Sequence, residues 1–323
     1  MNDSEWLADR FEEHRPRLRS VAYRMLGSLA EADDALQDAW LRVSRAGAGD
    51  VHDMGAWLTT IVGRVCLNML RSRKARREAS LETHLPDPIV SPEAGLDPEQ
   101  EVLPGDSVGL ALLVVLDALT PAERVAFVLH DVFAVPFDDI APIVGRTPTA
   151  ARQLASRARR RVQGAPVPDV DLDGQWTVVN AFLAAARDGD FERLLAVLDP
   201  DVVVRSDGGE TRPQLVSLVR GAHAVAAQAM SFRRFADTAT RVLVNGIPGG
   251  IAWTPDGRPF AVLAATVKGG KIVRIDVLAD PSGSRGWISP WSPADRFGSQ
   301  RAVTFAPSCG SPMWQPSNRR TKE

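Results

Sequence analysis

The chain has 323 residues, 45% hydrophobic and 24% charged, with 38 Lys and Arg against 40 Asp and Glu for a formal net charge of −2. That length exceeds one ordinary core and implies two or three domains. The longest uncharged apolar run, Val108 to Leu116, falls far short of the roughly 20 residues of a membrane span, and no basic stretch leads into an apolar one at the N-terminus. The two cysteines, Cys66 and Cys309, stand far apart and the histidines are scattered singly, which argues against a disulfide framework or a metal site. The expectation is a cytoplasmic protein with no cofactor, no metal and no membrane partner. Near-neutrality does not exclude nucleic acid, because arginines crowd 64–77 and 152–161 while acids fill the segments between.

Residues 5–77 carry helical periodicity almost throughout. Ala32, Ala35, Leu36, Ala39, Trp40 and Val43 repeat at helical spacing, and the helix that carries them opens on acids, Glu31, Asp33, Asp34 and Asp38. A second helix is predicted over 57–73, with Leu58, Ile61, Val62, Val65, Leu67, Met69 and Leu70, and it ends in Arg71, Arg73, Lys74, Arg76 and Arg77. Taken alone, an acidic face and a basic helix end are ordinary stabilising features, since cations suit a helix C-terminus. Residues 78–107 hold Pro86, Pro88, Pro92, Pro98 and Pro104 with Gly95 and Gly105, a density that denies helix and sheet their hydrogen bonds and predicts a linker.

Residues 108–163 are helical again and hold the sharpest local signal. A short helix is expected to stop at Gly145, and the next to start with Thr147 as N-cap and Pro148 in the first turn. Ala151, Leu154, Ala155, Ala158 and Val162 then form one stripe for burial, which leaves Arg152, Gln153, Ser156, Arg157, Arg159 and Arg160 to project. This division suits a helix-turn-helix, in which some residues seat the helix and others reach phosphates and base edges. An arginine-rich face is otherwise simply a solvated one.

A breaker at 164–168 leads into residues 172–280, where the pattern changes. Two helices, 176–187 and 191–198, precede strand-like runs at 202–205, 241–245, 251–253, 259–268 and 271–278, the last two joined by the Gly269-Gly270 hairpin signal. Asp207-Gly208-Gly209-Glu210 is expected to form an acidic, flexible tip that docks on a basic surface of the helical half. Residues 281–323, rich in Pro, Ser, Gly and Arg without periodicity, are expected to be a disordered tail.

The stretch from Glu31 to Val43 resembles region 2.2 of extracytoplasmic-function sigma factors, a subgroup of the sigma-70 family, and Ala56 to Asn68 resembles their promoter-melting, minus-10-reading helix. Leu119-Thr120-Pro121-Ala122-Glu123-Arg124-Val125-Ala126-Phe127-Val128-Leu129, with the helix-turn-helix, is similar to their region 4. The resemblance runs in order from about Phe11 to Val162. It implies two all-α domains, a region 2 bundle over 5–77 and a region 4 helix-turn-helix over 108–163, with core RNA polymerase and promoter DNA as partners and no catalysis. Carried over, it places Asp34, Gln37, Asp38 and Trp40 toward polymerase, and Arg64, Asn68, Arg71 and Arg73 near the minus-10 strand. A flipped base would be captured in the loop 47–53. Thr149, Arg152, Gln153, Ser156 and Arg157 would read the minus-35 element, with Arg159 and Arg160 on phosphate.

Phe182 to Leu195, followed by Leu198-Asp199-Pro200-Asp201-Val202, resembles the opening of a SnoaL-like α+β cone domain over 172–280, for which the sequence names no ligand. In the sigma-factor subgroup that carries this domain, the resemblance implies a regulatory role for the loop Asp207, Gly208, Gly209 and Glu210. Here Glu210 stands where that subgroup commonly has a further glycine and a lysine, and His84-Leu85-Pro86-Asp87-Pro88 stands where it has a Trp-Leu-Pro-Glu-Pro linker. A cone-fold isomerase or cyclase would need a pocket acid as general base, and Asp207, Glu210 and Asp276 are the acids available for one.

Overall fold

The computed structural model describes residues 3–46, 51–76, 85–92, 110–163, 168–209, 212–233, 239–254 and 258–279. The expectations for the tail 281–323, for the linker at 78–84 and 93–107, for the breaker at 164–167, for the loop at 47–50 and for Glu210 lie outside them. The chain divides into Met1–Ser289 and Pro290–Glu323, and every described residue belongs to the first unit.

Three helices, α1 (Asp3–Leu26), α2 (Leu29–Ala46) and α3 (Met54–Arg76), pack as a bundle. The apolar spacing of α2 dictates its orientation: Ala32, Ala35, Leu36, Ala39 and Val43 are buried. They meet Phe11, Leu18, Met25 and Leu26 of α1 with Leu58 and Leu67 of α3, all essentially inaccessible. The α1–α2 turn needs Gly27, whose φ of 77° lies in the left-handed region that side chains avoid.

A second helical group follows: α4 (Leu110–Asp117), α5 (Pro121–Phe127), a π-helical turn Val128–Val132, α6 (Phe137–Val144) and α7 (Pro148–Val162). A capping box starts α5, with the Thr120 side chain accepting from the Glu123 amide and the Glu123 carboxylate accepting from the Thr120 amide. Gly145, at φ 68°, ends α6, and Thr147 caps α7 by accepting from the Ala150 amide at 3.3 Å. Ala151, Leu154, Ala155 and Ala158 are buried as their spacing requires, while Val162 is half-buried. The two helical groups touch. A Cβ added at Gly63 of α3 would lie 3.4 Å from Ile143 of α6, so the missing side chain is what lets these helices approach.

The remaining residues form α8 (Leu172–Asp188), α9 (Phe191–Val197), α10 (Ala222–Ser231) and one mixed sheet. Its strands are β1 (Val90–Pro92), β2 (Leu198–Asp207), β3 (Ser217–Arg220), β4 (Thr240–Val244), β5 (Ile247–Trp253), β6 (Pro259–Lys268) and β7 (Lys271–Leu278), in the order β1-β4-β5-β6-β7-β2-β3. Neighbours run antiparallel except β2 beside β7. Bulges within the β5–β6 and β6–β7 ladders add twist. Trp176, Val179 and Phe182 of α8, Leu194 of α9 and Val225 of α10 close over Ile272 and Ile275 of β7. This is the expected helix-and-sheet cone domain behind two all-α domains.

Two departures from expectation matter. β3 and α10 arise where the sequence predicts neither, because a four-residue strand is too short to declare a period and the alanine-rich α10 shows no clear stripe. The proline-dense linker also contributes a strand: residues 90–92 pair with Val242 to Val244 of β4. Prolines 86, 88 and 92 do not prevent this, because the strand sits at the sheet edge, where a missing amide donor is tolerated.

Candidate nucleic-acid interface and the strap beneath it

On α2, Asp34, Gln37 and Asp38 are exposed, as is the apolar Leu41. The other two acids turn to their own bundle. Asp33 takes the Arg19 guanidinium at 2.7 Å, and Glu31 pairs with Arg73. Burial pushes the Glu31 carboxyl above its ordinary range despite Arg73 beside it. Trp40 is half-buried, its ring 5.2 Å from that of Phe11, so only part of it faces outward.

On α3, Arg64, Asn68 and Arg71 are exposed at i, i+4 and i+7, one face of the helix. Arg73 has partners within the bundle: its guanidinium donates to the Leu26 carbonyl at 3.0 Å and pairs with Glu31, bracing α3 against α1 and α2. Of the loop over 47–53, Asp53 caps α3 by accepting from the Ala56 amide at 2.9 Å.

On α7, Thr149, Arg152, Gln153, Ser156, Arg157 and Arg160 are exposed. Arg152 lies 5.3 Å over the ring of Phe137, the first residue of α6, which steadies it. Arg159 is half-buried and pairs with Asp131. Arg157 and Arg161 both reach Glu123, at 3.5 and 2.6 Å. Burial alone would raise the Glu123 carboxyl, but hydrogen bonds from Thr120 and the two arginines carry it below the ordinary range.

A buried arginine bridges the helical groups. Arg124, 2% exposed, pairs with Asp117 and aims two nitrogens at the Arg24 carbonyl, each at 3.4 Å. Burial lowers its pKa, and Asp117 opposes that. Cys66 is buried, its thiol pushed up to about 12, which makes it inert.

Residues 85–92 form a strap sewn to both neighbours. On the bundle side, Tyr23 donates its hydroxyl hydrogen to the Asp87 carbonyl, the Asp87 amide donates to Gly27 at 2.9 Å, and the Asp87 carboxylate accepts from the Leu29 amide at 2.9 Å. On the cone side, the Leu85 amide donates to Asp207 Oδ2 at 2.7 Å, and Ile89 exchanges two bonds with Asn245 at 3.1 and 2.7 Å. Asn245 Nδ2 also donates to the Tyr23 hydroxyl at 3.0 Å and closes the circuit. The expected acidic tip is therefore not one at Asp207. That carboxylate is 2% exposed and binds backbone amides, its Oδ1 taking the Gly209 amide at 2.8 Å. Gly208 makes the turn possible, since a Cβ there would lie 2.0 Å from the Arg212 carbonyl oxygen.

Sequence reasoning missed Asn245 and Tyr23. Asn245 (φ 52°) and Gly246 (φ 76°) form the turn between β4 and β5, and an Asn-Gly pair is a strong hairpin signal that could have placed Asn245 at the end of a strand. Tyr23 is the single tyrosine of the sequence, and nothing local marks it.

Residues 10–76 match the Sigma-70 region 2 family and residues 109–162 match Sigma-70 region 4. The ECF RNA polymerase sigma factor SigJ of Mycobacterium tuberculosis H37Rv is 38% identical over 287 residues, spanning 84% of this chain and 91% of that protein. The chain belongs to the extracytoplasmic-function sigma factors. Probable sigma factor SigI of the same organism is 36% identical over 290 residues, 87% of this chain and 96% of SigI. The crystal structure of SigJ superposes with a TM-score of 0.71 at 34% identity, over 86% of this chain and 98% of that one, so the likeness runs through the cone domain. Sigma factors bind core RNA polymerase and promoter DNA. In this sigma factor the exposed faces of α2, α3 and α7 lie on the two matched regions, and no described helix is long and apolar enough to cross a membrane.

Proposed function

We propose that this sigma factor directs core RNA polymerase to promoters with two short elements, and that its cone domain regulates initiation by holding the strap. Asp34, Gln37 and Asp38, with the outward edge of Trp40, serve polymerase. Arg64, Asn68 and Arg71 serve the minus-10 strand, with Arg73 acting behind them as a brace. Thr149, Arg152, Gln153, Ser156 and Arg157 serve the minus-35 element, and Arg160 a phosphate. Arg159, tied to Asp131, is a secondary phosphate contact. Cytoplasmic polymerase is the place of action.

The observation that carries the regulatory reading is the strap circuit, because it fastens the segment that joins the two DNA-reading groups in sequence to the first of those groups and to the cone domain, while the two groups touch. Elements about 25 base pairs apart are separated by about 85 Å of duplex at ~3.4 Å per pair. With Ile143 of α6 seated at Gly63 of α3 and α7 packed on α6, helices of about 35 Å (α3) and about 22 Å (α7) at ~1.5 Å per residue cannot hold their readers that far apart. The helical groups must part on promoter DNA, and the segment that joins them is the one fastened by Asp207 and Asn245. Run-off transcription with core polymerase tests both halves of the proposal. Absence of product from every candidate promoter together with absence of core binding overturns the sigma assignment, and equal output from the intact chain and Asn245→Ala overturns the regulation.

A further inference from the structure

The cone domain holds a cavity of about 330 Å³, partly open to solvent, between α8, α10 and the sheet. That is within the roughly 300–1,000 Å³ span of small-molecule sites. Phe182, Leu183, Val225, Phe260 and Leu263 dominate its walls, and no ionisable side chain lines it among the described residues. Asp207 and Asp276, the acids that would serve a catalytic base, do not line it. Asp207 holds the strap, and Asp276 is 1% exposed and paired with Arg274 at 2.8 Å. Among the described residues a charged ligand would find no counter-charge there to offset its lost hydration, a cost of several kcal/mol. One polar feature is unexplained by the fold. Gln228, on α10, lines the cavity, and its Oε1 is buried without a hydrogen-bond partner among the described residues. A buried acceptor left bare costs about 1–3 kcal/mol, and a ligand O–H or N–H that the side chain turns to meet would relieve it.

We infer that the cavity binds an uncharged, mostly apolar small molecule that donates one hydrogen bond to Gln228, and that its occupancy tunes the strap. The coupling half rests on the proposed regulatory reading. Ser206 lines the cavity and the next residue, Asp207, holds the Leu85 amide. Phe260 and Ala279 line the same end, and the Arg212 guanidinium ties their carbonyls at 3.1 and 3.2 Å while lying 4.7 Å over the Phe260 ring. Arg212 in turn abuts Gly208 in the strap-holding turn. A molecule that presses on Phe260 and Ser206 therefore presses on the turn that aims Asp207.

N-phenyl-1-naphthylamine, uncharged and apolar with a single N–H, is the probe. Titrated into the intact chain, it should give a saturable, blue-shifted fluorescence gain at one site. Gln228→Leu should weaken binding about fivefold to tenfold, the worth of one hydrogen bond. The N-methyl derivative, which lacks the donor, should bind wild type and Gln228→Leu alike. Ala252→Phe, which fills the cavity from β5, should abolish binding in protein whose circular dichroism is unchanged, and if that variant does not fold, the Gln228→Leu comparison decides. Absence of saturation, undiminished binding in folded Ala252→Phe, or binding that appears only after truncation at Pro281 overturns the site. In run-off transcription the probe should change wild-type output at least twofold and leave Asp207→Ala unmoved. A bound probe with no effect on wild-type output overturns the coupling alone.

Discussion

Asp207→Ala isolates the cone-side fastening of the strap. Among the described residues, the Asp207 carboxylate accepts from the Leu85 amide at 2.7 Å and from the Gly209 amide at 2.8 Å. The Gly209 bond lies within its own turn and persists whether the strap is docked or released, so it largely cancels. The Leu85 bond exists only in the docked state, and hydrogen bonds to charged groups contribute about 1.5–3 kcal/mol. At 1.4 kcal/mol per factor of ten, its loss should lower the ratio of docked to released strap by about 10- to 150-fold. Asp207→Asn keeps an acceptor without the charge and should lose about half as much free energy. Amide hydrogen exchange reads this directly. Exchange across residues 85–92 should accelerate by that factor in Asp207→Ala while the β6–β7 ladder keeps its protection, and run-off output should rise. Unchanged exchange over 85–92, with the sheet intact, would refute the assignment of Asp207 as a strap holder.

Asp117→Ala removes the partner of the buried Arg124 and should destabilise the helical half by about 3–5 kcal/mol in chemical denaturation, the usual cost of an uncompensated buried charge. Glu123 predicts a pH signature. Its folded pKa is depressed, so its contribution is present above the unfolded value near 4.3 and disappears as pH falls through the lower folded value. Wild type should therefore exceed Glu123→Gln in stability at neutral pH, and their denaturation midpoints should converge in acid below that window. Asp38→Arg should weaken pull-down of core polymerase with its circular dichroism unchanged, because the side chain is exposed and substitutions there cost little fold stability. Arg152→Ala should cost about 1–3 kcal/mol of promoter affinity and relax one base position in binding selections, whereas Arg160→Ala should weaken all sequences alike and flatten the salt dependence.

The helical half was legible because its signals are local. Gly145 closes α6 and Thr147 with Pro148 opens α7 within three residues, and the Ala151–Ala158 spacing states which face is buried before any partner is known. The order of α8, α9 and the last hairpin was legible for the same reason, Gly269-Gly270 being a turn that needs no distant contact. Arg73 shows the limit of such reading. A basic residue at a helix end is equally suited to DNA and to a half-buried brace, and only the fold brings Glu31, 42 residues away in sequence, to Arg73. Asp207 shows it more sharply: in sequence it is an acid among glycines, and in the fold it meets the amide of Leu85 across 122 residues. The Asn245–Tyr23 bond spans 222. Periodicity and capping encode what a segment does with its own backbone. Which buried carboxylate meets which amide is decided when two segments with no sequence relation are brought to one place, and desolvation there turns a weak exposed contact into a strong one.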